Sequence, residues 1–127
     1  MLQIRTLSNS FQFLFDSFNK KYFSSALDRY SVHVVFDVHT VANEPVYRGS
    51  VSSGLIRFEE RRIYIRYTDI DLMQAMLIHE MAHAATSGEH DERWRAEMVR
   101  LKTAGAPVPD YELEPGADEM LSAGGRA

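Results

Sequence analysis

Residues 79–83 read His-Glu-Met-Ala-His. Positions four apart share one face of a helix, so His79 and His83 can turn both imidazoles toward a single ion. Glu80 follows about 100° further round the helix, near enough to flank that ion without ligating it. This is the HExxH arrangement of zinc hydrolases, where two neutral His hold the metal and the Glu takes a proton from its water. Three titratable side chains inside an apolar helix are costly unless they share a partner. Two separately hydrogen-bonded core His beside a surface Glu would fit the spelling but not that setting.

A catalytic zinc takes three protein ligands and keeps one position open for water. The chain has no Cys, which removes thiolate sites and disulfides and leaves His and carboxylates as ligands. His90, seven residues after His83 and just past Ser87-Gly88, is the expected third ligand, because imidazole suits zinc. Glu89, Asp91, Glu92 and Glu97 are the acidic alternatives. His33 and His39 carry no ligand spacing and read as structural or exposed.

The motif must be held by a helix, and the flanking residues supply one from about Ile70 to Thr86. Thr68 or Asp69 can cap its start, and Ser87-Gly88 stops it. Its faces are apolar almost all round, which places it in the middle of the molecule. Upstream, Phe11, Leu14, Phe15, Phe18 and Tyr22 form a core-facing stripe on a first helix, with a cap among Ser8, Asn9 and Ser10. Residues 32–38 have the β-branched and aromatic content of a strand. A twisted strand region with Gly49 and Gly54 runs from Val46 to Arg57 and pairs as a hairpin, through Glu59-Glu60-Arg61, with Arg62–Tyr67. We expect Arg62–Tyr67 to be the edge strand on which an extended substrate lies, with Ile63, Tyr64 and Ile65 as the binding residues. A third helix begins at His90 or Asp91, buries Trp94, Met98 and Leu101, and closes at Ala104-Gly105.

The chain has 127 residues, 45% of them hydrophobic and 25% charged, the make-up of one globular domain. Its net charge of −4 lies wholly beyond residue 104, since residues 1–104 hold 13 basic and 13 acidic side chains. A neutral body does not indicate nucleic acid as a partner. The basic stretches, Arg57/Arg61/Arg62/Arg66 and Arg93/Arg95/Arg100/Lys102, alternate with Glu and read as solvated faces. No run is long enough to span a membrane and the first residues do not resemble a signal peptide, so the expected compartment is the cytoplasm. We read residues 1–109 as a single domain and 110–127 as an acidic tail, mobile or docked over the cleft.

Four stretches together resemble the SprT-like (Spartan-type) zinc metallopeptidase domain. They are Phe18-Asn19-Lys20-Lys21-Tyr22-Phe23, the hairpin, Leu77–Thr86 around the motif, and His90-Asp91-Glu92-Arg93-Trp94. The resemblance covers roughly residues 11–107, with Asp91 standing where the family usually has Gly. It implies His79, His83 and His90 as ligands of one Zn2+ and Glu80 as the base. It also implies an α+β, minimal zincin-like fold: a small three-stranded sheet packed on an N-terminal helix and the central HExxH helix, then a third helix. The function expected is zinc-dependent hydrolysis of peptide bonds in a polypeptide, by a metal-activated water with Glu80 as general base. Two other readings stay open: a minigluzincin-type peptidase with a Glu third ligand, and a non-catalytic, zinc-stabilised module, DNA-associated or not. Tyr64, Tyr67, Arg93 and Tyr111 are the candidate donors to an oxyanion.

Overall fold

A computed structural model describes residues 4–36, 38 and 54–113. Helix α1 (Ile4–Phe23) leads into strand β1 (Ser31–Val35), followed by β2 (Gly54–Arg57) and β3 (Arg62–Arg66). Helix α2 (Ile70–Thr86) carries the motif, helix α3 (Glu92–Thr103) follows, and a 3-10 turn spans Asp110–Leu113. The fold is the expected compact α+β arrangement, with three helices among the described residues around a small mixed sheet. His39, Gly49 and most of the expected 46–57 strand region lie outside the described residues, as do residues 114–127. No helix among the described residues is long and apolar enough to cross a membrane.

The aromatic stripe of α1 packs as its spacing predicts. Phe11, Phe15 and Tyr22 are buried, and Leu14 and Phe18 lie against the same core. The helix starts at Ile4, earlier than the Ser8–Ser10 cap expected, and Ser8 and Gln12 do other work. Ser8 Oγ accepts from Val34 N–H, while Gln12 Oε1 accepts from Val32 N–H and its Nε2 donates to Tyr30 C=O, each at 2.9 Å. These bonds satisfy backbone groups along β1 that would otherwise project from the sheet edge.

The sheet order is β1-β3-β2. Strand β3 pairs parallel with β1 (Val32 opposite Ile63) and antiparallel with β2 (Ile56 opposite Ile63). The hairpin is therefore as expected, with Arg61 at φ 52° closing its turn. The edge assignment is not. Arg62–Arg66 is the central strand, paired on both sides, and Ile63, Tyr64 and Ile65 are all buried. No peptide can add there, so the substrate-binding role expected of these three residues is corrected: they are core. Ile63 and Ile65 face the main core, whereas Tyr64 meets Leu55 and Val38 on the opposite face. Among the described residues, the edges of the sheet are β1 and β2. Period-two alternation tells which side chains share a face, but not which neighbours flank a strand.

Helix α2 crosses beneath the sheet, with Met73, Leu77, Ile78, Met81 and Ala82 in the core. Asp69 caps it through a 2.9 Å bond from Asp71 N–H. Its first turn is more exposed than the sequence suggests, for Ile70 and Leu72 face outward. At the other end Ser87, rather than Gly88, takes the left-handed conformation (φ 53°, ψ 35°) and bonds back to His83 C=O.

Candidate metal centre

The chain reverses at Ser87, so the residues that follow α2 fold back over its last turns. Asp91 then begins α3 by accepting from Trp94 N–H at 3.0 Å. That bond is the main reason the Asp91 carboxyl titrates below its ordinary range. The cap explains why an acidic residue suits the position after His90. It also fixes His90 one residue before a rigid helix.

The result is a cluster of three imidazoles, His79, His83 and His90. His90 Nε2 lies 3.1 Å from His79 Nε2 and 3.1 Å from His83 Nε2. Four-coordinate binding at about 2.1 Å sets donor atoms about 3.4 Å apart, close to this spacing. The outer nitrogens decide the tautomers. His83 Nδ1 lies 2.8 Å from Gly88 C=O, an acceptor only, so Nδ1 carries the proton and Nε2 presents a lone pair inward. His79 Nδ1 meets Glu112 Oε1 at 2.8 Å. A carboxylate accepts there, leaving His79 Nε2 with a lone pair as well. Two inward lone pairs facing a third imidazole nitrogen at this spacing make a donor set that suits a cation. The residues present therefore fit a metal ion.

Trp94 forms the floor. It is fully buried, its ring stacks on His83 with centroids 5.5 Å apart, and it meets His79 and His90 edge-on at 4.9 and 4.8 Å. Its Nε1–H points to His79 C=O at 3.4 Å. The indole thus fixes the planes of all three rings by packing.

Glu80 is fully buried, and among the described residues neither carboxylate oxygen has a hydrogen-bond partner. Burial pushes its carboxyl up to about 7; the adjoining His79 opposes this and Glu112 adds to it. A buried, unpartnered carboxyl beside a metal tripod is placed to exchange a proton near neutrality. Strand β2 runs directly against it. A Cβ on Gly54 would come within 2.9 Å of Glu80 Oε2 and 2.6 Å of Met76 Cγ, so only glycine allows this approach.

The structure thus brings His79, Glu80, His83 and His90 together. It does not bring in the acidic alternatives: Glu97 is held by Arg100 at 2.7 and 2.9 Å, and Asp91 is spent as a cap. His33 stands apart beside Ser31 Oγ at 3.1 Å, its pKa lowered by burial and by Arg62. Of the candidate oxyanion donors, Tyr64 receives a 3.4 Å bond from Arg62, Tyr67 meets Phe36 edge-on, and Arg93 pairs with Asp91. Tyr111 alone borders a small pocket that also includes Glu112, Arg66, Leu72 and Met76.

Sequence reasoning missed Glu112. It sits in the segment set apart as an acidic tail, where nothing in spacing distinguishes it from Asp110 or Glu114. Its one sequence signal is the apolar company of Val108 and Leu113, which hold the turn against the core.

The sequence model of one family, described as the SprT-like family, matches residues 11–114. No curated protein and no solved structure matches the chain.

Proposed function

Since the chain belongs to the SprT-like family, we propose that it is a zinc-dependent endopeptidase acting on polypeptides. The observation that carries this reading is the convergence of three imidazole Nε2 atoms beside a buried, unpartnered glutamate. Three nitrogen donors without thiolate suit zinc, and three protein ligands leave room for a fourth, exchangeable one. When bound, zinc polarises the scissile carbonyl and makes its water acidic enough to act near neutral pH.

The chain's own residues do the rest. His79, His83 and His90 hold the ion through Nε2. Glu80, as the carboxylate that a bound cation would favour, takes the water proton and returns it to the leaving amine. Strand β2 is the sheet edge that lies over Glu80, so an extended substrate adds alongside Gly54–Arg57 rather than at β3. The other edge is closed by Ser8 and Gln12. A purely structural metal would need a fourth protein ligand and would have no use for a buried Glu80.

The test is metal dependence with an identified product. The full chain should cleave an unfolded polypeptide, lose that activity on chelation, and regain it with zinc but not with magnesium. Mass spectrometry should find new peptide termini inside the substrate. Cleavage indifferent to chelation would overturn the proposal.

A further inference from the structure

We propose that Glu112 is a positioning residue for the metal centre, holding His79 in the ligating tautomer from a strap, residues 106–113, that lies against α3. The inference rests on the zinc-site reading above but not on the peptidase reaction.

Glu112 is 2% exposed, and its Oε1 meets His79 Nδ1 at 2.8 Å, on the side of the ring opposite the ligating Nε2. A carboxylate there cannot itself reach the ion's face of the ring, but it accepts the Nδ1 proton. That makes Nε2 the basic nitrogen and orients the plane of the imidazole. Of the three imidazoles, His83 takes the same support from a backbone carbonyl, which is neutral. The carboxylate at His79 adds a negative charge that compensates a buried cation. Among the described residues its second oxygen is buried without a hydrogen-bond partner, an arrangement whose desolvation is unfavourable until a positive charge lies close by.

The segment that carries Glu112 is built to keep it there. Ala106 and Val108 are buried in the main core, and Leu113 packs on it. Lys102 donates to Val108 C=O at 3.0 Å and pairs with Asp110, while Arg95 donates to Leu113 C=O at 3.3 Å. Both cations project from α3, the helix that also buries Trp94 under the His cluster. Glu112 N–H closes the turn on Pro109 C=O at 3.2 Å. Ligand orientation and docking of the strap are thereby coupled: when zinc occupies the tripod, the strap should be held more firmly.

The experiment measures zinc affinity of the full-length protein by competition with a chromophoric chelator, for wild type, Glu112→Gln and Glu112→Ala. Loss of such a supporting partner lowers metal affinity by about 10–100-fold. We expect a loss of that size for E112A and a smaller one for E112Q, whose amide oxygen still accepts from Nδ1–H. Substituted with cobalt, E112A should show an altered visible ligand-field spectrum, which a residue acting only on fold stability would leave unchanged. Hydrogen exchange of residues 106–113 should slow on zinc addition in wild type and respond less in E112A. Zinc affinities within twofold across the three proteins, with identical cobalt spectra, would overturn the proposal. If wild type binds no zinc, this inference and the zinc-site reading fall together. If it binds zinc with Glu112 dependence but cleaves nothing, only the peptidase reading falls.

Discussion

Glu80 differs from the other acidic side chains in being neutral or charged according to small changes around it. Its carboxyl is wholly buried and titrates at about 7 in the absence of a cation, against 4.5 for an ordinary glutamate. A raised carboxyl pKa stabilises the folded state fully below the unfolded value and loses that contribution as pH rises through the folded one. In metal-free protein, therefore, Glu80 weakens the fold between about pH 4.5 and 8, by no more than about 3 kcal/mol. Glu80→Gln, which is never charged, removes this loss. Thermal melts of chelated protein should find wild type and E80Q alike near pH 5, and E80Q the more stable near pH 8. Equal melting temperatures at every pH would show that the carboxyl is not perturbed. Zinc reverses the effect, because a nearby cation favours the carboxylate.

Elements are where the two close approaches of the site arise, α2 against β2 and α3 against the strap. The first depends on Gly54. Its missing side chain lets the sheet edge lie on Glu80 and Met76, and a methyl there must displace one of them. Gly54→Ala should therefore lower peptidase turnover by about tenfold or more through a misplaced base, while zinc affinity stays near that of wild type. Parallel measurement of turnover and zinc affinity checks this; unchanged turnover would mean the side chain of Met76 absorbs the methyl. The same elements show what the sequence could disclose. Helix α2 and its ligands were legible because a 3.6-residue period, caps and a four-residue His spacing are all local. His90 was legible because the helix stop at Ser87-Gly88 lies between it and the motif. The central place of β3 was not, since strand order depends on the parallel pairing with β1 across about 30 residues of chain. Glu112 was invisible for a related reason: its partner lies 33 residues away, and a supporting acceptor carries no fixed spacing.

At the scale of the molecule, a small sheet and the three described helices bury the main core on one face of the sheet, and the motif glutamate lies on a helix packed in that core rather than on a loop. His79 and Glu80 are fully buried, and His83 nearly so. Such a site is organised before substrate arrives, with Trp94, Glu112 and the Gly88 carbonyl fixing the three rings. The chain is electrically neutral up to residue 104, so on the proposed reading an extended polypeptide would be recognised by backbone pairing more than by charge. The most direct test of this account is cleavage of an unfolded protein by zinc-loaded wild type and zinc-loaded E80Q, with bound zinc measured in the same samples. Wild type should generate new peptide termini, and E80Q, carrying equal zinc, should be slower by about 100-fold or more. Cleavage by E80Q at the wild-type rate would contradict the account, as would a fully loaded wild type that cleaves nothing.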